Sequence, residues 1–239
     1  MDRFLKHLRK IIFGLSLLML IPSCKKEVEE ITVSDVEGNV YKTVLIGDQI
    51  WMAENLKVTK YNNGNRIPNI SDNIEWIDLS TGARCYYNND STTFAKVYGA
   101  LYNWFAVTDS RKLCPSGWHV PTDADWKILE MYLGMSQTEA DETEWRGTDE
   151  GGKLKETGTT YWESPNTGAT NSTGFAGRPG GYRNWFGPFE EEGFWGIWWT
   201  STEFDAAYAW KRNLSSDYAT IYSYYNPKIA GFSVRCVKN

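Results

Sequence analysis

A regular alternation of strand-like runs and turns closes the chain and constrains its fold more than any other feature. The runs cover roughly 195–202, 208–215, 220–226 and 230–237. Side chains alternate between the two faces of a strand, so Tyr208, Trp210, Arg212 and Leu214 share one face of the second run. Turn residues separate the runs at short intervals. This spacing predicts an antiparallel meander.

Helices are predicted before the meander. The first has a broad apolar stripe, formed by Phe94, Val97, Tyr98, Leu101, Trp104 and Phe105. A second begins at Thr122, which caps it, buries Trp126, Leu129 and Leu133 on one side, and stops at Gly134. A third piece starts at Ser136, with Glu139 completing a capping box. Helices early and strands late predict an α+β fold with two main helices.

The stretch between these helices and the meander is rich in Gly, Thr, Ser and Asn. A structureless run as long as 145–193 is unusual in a compact domain, so several short loops and hairpins are expected there. No Pro-rich or Ser-rich linker interrupts the chain after residue 31, which predicts a single domain over 32–239.

Composition excludes two classes of function. The 30 acidic residues outnumber the 25 basic ones, so the basic footprint of a nucleic-acid-binding protein is absent. Two histidines leave no room for a site built on several imidazoles. No cofactor or metal is expected. The 12 Trp and 14 Tyr are the unusual feature, because such rings favour wet interfaces as well as cores.

Residues 1–23 have the pattern of a lipoprotein signal peptide. A basic start precedes an apolar run over 11–21, which is too short to span a bilayer, and Leu20-Ile21-Pro22-Ser23-Cys24 resembles a bacterial lipobox. We expect lipidation at Cys24, a polar tether over 24–31, and a lipid-anchored protein of the cell envelope at the outer membrane. The alternative is an ordinary secretion signal in which Cys24 is a free thiol.

Six ordered motifs resemble the Fibrobacter-type major paralogous domain, called FISUMP. The motifs are Asp48-Gln49-Ile50-Trp51-Met52-Ala53-Glu54-Asn55-Leu56, Cys85-Tyr86-Tyr87-Asn88-Asn89-Asp90, Tyr98-Gly99-Ala100-Leu101-Tyr102-Asn103-Trp104, Cys114-Pro115-Ser116-Gly117-Trp118-His119-Val120-Pro121-Thr122, Trp198-Trp199-Thr200-Ser201-Thr202-Glu203 and Gly231-Phe232-Ser233-Val234-Arg235-Cys236-Val237. The resemblance covers nearly all of 33–239. It implies a secreted or lipid-anchored protein of Bacteroidetes-like bacteria and no established reaction.

A more distant resemblance bears on the fold. Val120-Pro121-Thr122-Asp123-Ala124-Asp125-Trp126 and the Gly-Phe-x-x-Arg-Cys ending are similar to segments of the formylglycine-generating sulfatase modifiers. That likeness implies a C-type-lectin-like fold, with a twisted antiparallel sheet and long loops. The close pair of late cysteines that those enzymes use is missing here, so their oxidase activity is not expected.

Candidate catalytic groups are few. His119 lies just before a helix cap, where holding a backbone group is the expected role of an imidazole rather than general-base catalysis. Glu190-Glu191-Glu192 is the densest acidic run. Loop carboxylates can bind calcium, as lectins with the implied fold do, but the lectin triplets Glu-Pro-Asn and Trp-Asn-Asp are absent and a solvated acidic turn is expected.

The cysteines predict one disulfide. Export permits oxidation, and after modification of Cys24 three cysteines remain, so one must be left over. Cys114 precedes a core helix, while Cys236 shares a strand face with Phe232 and Val234. We therefore predict a Cys114–Cys236 bridge and a buried thiol at Cys85.

The expected function is binding of a glycan or an envelope protein without catalysis. The segment 182–195 carries many rings without period-2 alternation, so they cannot all face one core, and we expect Trp185, Phe189, Trp195 and Glu190 to contact a ligand. The tyrosines at 218, 222, 224 and 225 are a further possible aromatic surface. A structural component of a surface assembly is the alternative. A glycan-active enzyme is third, because two carboxylates can cleave a glycosidic bond.

Overall fold

Antiparallel sheets and short helices organise residues 32–239, the part of the chain that this computed structural model describes. The strands are β1 Thr32–Ser34, β2 Val40–Ile46, β3 Gln49–Met52, β4 Arg84–Cys85, β5 Leu101–Tyr102, β6 Trp118–His119, β7 Glu144–Arg146, β8 Gly180–Arg183, β9 Phe189–Glu192, β10 Trp195–Glu203, β11 Tyr208–Ser215, β12 Ile221–Pro227 and β13 Val237–Lys238. The helices are α1 Asn73–Ile77, α2 Ser91–Tyr98, α3 Trp104–Val107, α4 Asp123–Tyr132, α5 Gln137–Asp141 and α6 Glu150–Leu154. The predicted signal, Cys24 and the tether lie outside these residues.

The first three strands of the predicted meander are confirmed, and the fourth is wrong. β10, β11 and β12 are consecutive antiparallel neighbours, but the fourth position of their sheet belongs to β7, which comes from far earlier in the chain. Much of 230–237 instead makes single bridges, with Phe232 pairing to Tyr102 and Ser233 to Trp198. The segment thus crosses between sheets, because its backbone groups are shared among three elements.

A five-stranded sheet of order β1-β2-β3-β13-β6 forms the other side of the molecule. Gly38 and Gly47 lie in the turns that join β1 to β2 and β2 to β3, and both glycines have positive φ values. β13 lies between β3 and β6, with Val237 opposite both Trp51 and His119. The last described strand therefore joins β6 to the rest of this sheet.

The single helix predicted over 94–105 is wrong, because two residues interrupt it. Gly99 has a φ of 78° and ends α2, and a Cβ there would lie 2.5 Å from the carbonyl oxygen of Leu56. Asn103 then starts α3 by accepting a hydrogen bond from the Ala106 backbone N–H at 3.1 Å. The apolar stripe is real, but a short strand, β5, carries its middle part.

The two predicted capping boxes are present. Thr122 and Asp125 exchange the capping hydrogen bonds at the start of α4, and Ser136 and Glu139 do so at α5. α4 packs Trp126 and Leu129 against Trp51, Phe175 and Trp198, in an aromatic core with ring centroids 5.1–6.4 Å apart. The fold class is α+β, and of the six helices in the described chain α2 and α4 are the longest, with eight and ten residues.

The predicted disulfide is confirmed. Cys114 and Cys236 are bonded, with their Cα atoms 5.9 Å apart, and the bridge joins the loop before β6 to the segment before β13. Cys85 is a buried free thiol on β4, and burial raises its pKa to about 12. The region 145–193 contains β7, α6 and the β8–β9 hairpin between loops, as its composition predicts.

Candidate functional site

An aromatic groove lies on one face of the four-stranded sheet. The register aligns Ile197 with Asn213, Asn213 with Tyr222, and Tyr222 with Trp145. These four residues therefore form one row that crosses β10, β11, β12 and β7, with their side chains on the same face. A second row on the same face has Lys211 at its centre, paired with Trp199 on β10 and Tyr224 on β12. The opposite face carries Arg212 and Trp198 and packs on α4.

The β8–β9 hairpin supplies the facing wall. Tyr182, Trp185 and Glu191 come from this hairpin, and together with Trp195 and Phe232 they line a groove of about 390 Å³. This volume and the mixture of rings with a few polar groups are typical of small-ligand sites. We call this space the aromatic groove. Its lining residues are Trp145, Tyr182, Trp185, Glu191, Trp195, Ile197, Lys211, Asn213, Tyr222, Asn226 and Phe232.

The hairpin is held rigidly by one buried guanidinium. Arg183 donates to the carbonyl oxygens of Gly187, Ile70, Ser71 and Asp72, and its guanidinium lies 4.4 Å from the ring of Trp76. Since charged donors make strong hydrogen bonds, these contacts fix the turn that carries Trp185. Trp185 itself remains 42% exposed, so its ring is presented to solvent on a well-supported loop.

A cluster of rings forms the outer part of the groove. Trp145 contacts Tyr222 at a centroid distance of 5.1 Å and Trp195 at 5.8 Å. Tyr218 packs on Trp145 from outside at 4.4 Å. The rings of Trp145, Trp195 and Tyr222 are half-buried, so each is packed on one side and accessible from the groove on the other.

The floor of the groove holds a buried amine. Lys211 is 5% exposed, and its Nζ donates to Asn213 Oδ1 at 2.6 Å. The Nζ also lies 4.9 Å from the Tyr222 ring and 6.0 Å from the Phe232 ring. Burial, with a smaller repulsion from Arg212, lowers the pKa of Lys211 to about 7. The amine therefore changes charge near neutral pH.

The four expected ligand contacts occupy two different environments. Trp185 and Trp195 line the aromatic groove. Phe189 points away from it and packs against Tyr87 at 5.5 Å and the Arg183 guanidinium at 5.0 Å. The Glu190 carboxylate accepts from the Tyr182 hydroxyl at 2.5 Å and from Asn184 Nδ2, so it braces the hairpin.

Sequence reasoning missed the polar floor and the ring of Trp145. Lys211 and Asn213 belong to a strand whose other face was identified correctly, and a lysine between Trp210 and Arg212 in a central strand was the available signal. No sequence signal pointed to Trp145, because its pairing with Tyr222 joins distant parts of the chain. Of the tyrosine group, Tyr222 lines the groove, whereas Tyr225 stacks on Phe204 at 3.8 Å.

His119 joins two side chains and lies outside the aromatic groove. Its Nδ1 is 2.7 Å from Asn239 Oδ1, and its Nε2 is 3.1 Å from Asp125 Oδ2. The expected contact to a backbone group is replaced by these side-chain contacts, which tie the strand before α4 to its capping box.

Glu192, the last residue of the acidic run, accepts a hydrogen bond from the Tyr98 hydroxyl at 2.7 Å. Within residues 32–239, no three potential metal-ligating side chains come together.

Fold and groove together define an α+β domain with an aromatic groove on one face of its four-stranded sheet. The family model for the Fibrobacter succinogenes major domain matches residues 44–238, and the chain belongs to that family. The match confirms the resemblance found in the sequence. No curated protein and no solved structure matches the chain. Among the described helices, none has the length and apolarity needed to cross a bilayer.

Proposed function

We propose that this protein is a non-catalytic, lipid-anchored domain of the cell envelope that binds a glycan in the aromatic groove. The observation that carries the proposal is the convergence of exposed and half-buried rings from three strands and a hairpin on a floor with polar groups. An apolar core needs no such opening, and a large solvent-facing ring such as Trp185 is not required for packing.

Sugar rings suit this arrangement for two reasons. Their C–H faces pack on flat aromatic rings, which Trp145, Trp185 and Trp195 supply. Their hydroxyl groups need directional polar partners, which Asn213, Asn226 and Glu191 supply along the groove. A groove open along the sheet also accepts a chain of sugars rather than a single enclosed molecule.

A glycan array probed with the domain tests this proposal. A Trp185→Ala variant should lose at least about tenfold in affinity for any glycan bound by the parent, with little change in melting temperature, because Trp185 is 42% exposed. Tyr132→Ala is the matched control, since Tyr132 is 64% exposed on α4, beneath the opposite face of the sheet. An absence of binding across neutral and acidic glycans, or equal losses in both variants, would reject the groove as a glycan site.

The proposed location rests on the sequence before residue 32. A lipid on Cys24 and a tether over 24–31 would hold the domain close to the outer membrane. The membrane is then the first partner, and a glycan or another envelope protein the second.

A structural role in a surface assembly is the second candidate, and one feature favours it. Phe204 and Tyr208 are exposed beside Tyr225, and the Phe204 and Tyr225 rings stack at 3.8 Å at the end of the β10–β11 hairpin. Stoichiometric co-purification with an envelope complex, lost on Phe204→Ala, would support that role. Loss of a measured hydrolysis on replacing one groove carboxylate, Glu191, would instead support a glycan-active enzyme.

A further inference from the structure

Three buried lysines in the described chain differ in how their ammonium groups are satisfied. Lys155 Nζ donates to three carbonyl oxygens, those of Thr167, Ser215 and Tyr218, at 2.7–3.0 Å. Lys228 Nζ contacts the Glu203 carboxylate at 2.6 Å and the Ala206 carbonyl oxygen at 2.9 Å. Lys211 Nζ has a single acceptor among residues 32–239, Asn213 Oδ1. An ammonium carries three donors, so two N–H groups of Lys211 have no acceptor within the part of the chain that the structure describes.

The neighbour of Lys211 adds further donors to the same place. Asn213 uses its amide oxygen to accept from Lys211, and its Nδ2 donates to no atom of the described chain. Both side chains lie on the groove face of β11, two residues apart, so their free donors point into one space. The floor of the aromatic groove therefore offers N–H groups and calls for a ligand with acceptor oxygens.

Lys211 also lacks a counter-ion. None of the ion pairs within residues 32–239 includes it. The adjacent charge is Arg212, which points to the other face, where Glu130 and Asp123 bind it. A buried cation without an acid is costly, and the lowered pKa of Lys211 is the result. A ligand carboxylate at this position would supply both the missing hydrogen-bond acceptors and the missing negative charge.

We propose that the glycan bound in the aromatic groove is an acidic one, whose sugar carboxylate accepts hydrogen bonds from Lys211 Nζ and Asn213 Nδ2 while its ring packs on Trp195 or Tyr222. This inference rests on the proposed function and deepens it from glycans in general to uronic-acid-type glycans. The rings set the shape of the site, and Lys211 sets the charge of its ligand.

Matched glycan pairs test the proposal. The probes are oligosaccharides of galacturonic, glucuronic, mannuronic and sialic acids, each paired with its own methyl ester, together with sulfated oligosaccharides and neutral gluco- and manno-oligosaccharides. At pH 6, the parent should bind at least one acid more tightly than its ester by about tenfold or more, because the ester removes the charge and keeps the sugar. Lys211→Met should abolish this preference, whereas Lys96→Met, at an exposed position on α2, should keep it.

A pH series adds a readout that loss of packing does not produce. Affinity of the parent for the acid should fall between pH 6 and pH 9 as Lys211 loses its proton, and the affinity of the Lys211→Met variant should not. The other titratable or charged groups around Lys211 are Arg212 on β11, Tyr222 and Tyr224 on β12, Glu144 on β7, and Tyr182 and Glu191 on the hairpin. Burial raises the pKa of Tyr182 and Tyr222 above the ordinary tyrosine value. The Glu191→Gln variant tests whether the exposed Glu191 carboxylate causes the pH dependence, and the variant should keep that dependence.

The outcomes separate the two proposals. Neutral and acidic glycans bound equally, with equal losses on Lys211→Met, would overturn the acidic-ligand proposal and leave the glycan-binding function standing. Preference for sulfated over carboxylated sugars would overturn the carboxylate as the recognised group. Binding of none of the probes would overturn both proposals. Melting temperatures of the variants identify any that fail to fold, and Asn213→Asp, which places an acid beside Lys211, should then weaken acid binding as an independent test.

Discussion

Lys211 shows how one side chain can serve a site at a cost to the fold. A methionine of similar length would fill the same space between Tyr222 and Phe232 without burying a charge. The amine has the central position in the groove, in contact with the rings and with Asn213. Residues kept at the expense of stability are typical of binding sites, so the stability of the free domain should reveal the cost.

The first prediction is that Lys211→Met stabilises the free domain, and does so most below pH 7. The pKa of Lys211 is about 7 in the folded protein and near 10.4 in an unfolded chain. Between these two pKa values the unfolded state binds more protons than the folded state. The parent's free energy of unfolding therefore increases as the pH rises. The variant should therefore exceed the parent by on the order of 2 kcal/mol at pH 6, and by less at pH 9.

Urea unfolding of both proteins at pH 6 and pH 9 measures this difference. Lys96→Met is the control, because it makes the same chemical change at an exposed position. A stability difference that does not vary with pH would mean that the amine is charged throughout and that its burial is compensated in some other way.

Phe189 provides a second prediction at this scale, because its contacts are those of a packed residue. It lies against Tyr87 and the Arg183 guanidinium, beside the small core that contains Trp76 and Leu101. Phe189→Ala should lower the free energy of unfolding by about 2–3 kcal/mol, less than for a fully buried ring. Thermal melts check this, and Phe186→Ala, at an exposed ring of the same hairpin, should change stability by much less. Unchanged stability for Phe189→Ala would restore that ring as a candidate ligand contact.

At the scale of elements, a buried ion network joins α4 to the central sheet. Glu130 is fully buried and contacts Arg146 Nη2 at 2.5 Å on β7 and Arg212 Nε at 2.7 Å on β11. Asp123, in the first turn of α4, contacts Arg212 Nη2 at 2.7 Å. The network holds the strands whose other faces form the groove, so it supports the site from behind.

Removing the central acid should therefore be severe. Glu130→Gln leaves two buried guanidinium groups with one carboxylate between them, and we expect a loss of about 3–5 kcal/mol in the free energy of unfolding. Denaturant unfolding measures this, with Glu142→Gln at the exposed end of α5 as the control. A loss below about 1 kcal/mol would show that solvent reaches the network.

Prediction from sequence succeeded where local chemistry decides the structure. The caps of α4 and α5 and strands β10 to β12 depend on neighbouring residues and were found. The helix over 94–105 failed because Gly99 must approach the Leu56 carbonyl, a tertiary contact that periodicity does not contain. The groove was found only in part, because some of its residues are brought there by tertiary contacts. Trp185 and Trp195 stand out by composition, while Trp145 and Lys211 enter it through strand pairing.

For the whole molecule, the disulfide closes the longest covalent loop in the described chain. Cys114 and Cys236 are 122 residues apart, and in the loop-entropy model their bond stabilises the fold by about 4–5 kcal/mol. The Cys114→Ser/Cys236→Ser variant should lose that amount in denaturant unfolding. Cys85→Ala keeps the bridge, so its stability should remain sensitive to a reductant, unlike that of the double variant. Equal stability of reduced and oxidised parent would contradict the prediction.

The anchor is a prediction about residues before the described domain. Lipidation at Cys24 should place the protein in the membrane fraction, and Cys24→Ala should release it, because residues 11–21 are too short to span a bilayer. Cell fractionation with detergent extraction measures the difference, and Ser23→Ala, beside the modified residue, is the control. Retention of Cys24→Ala in the membrane as firmly as the parent would reject the anchor.

The crossing row of Ile197, Asn213, Tyr222 and Trp145 has a consequence for how such a domain can vary. Alternation assigns every second residue of these strands to the groove and the others to the contact with α4. A gene copy can therefore exchange the groove residues while leaving those beneath α4 unchanged. The groove can therefore change in steps that each leave a folded protein.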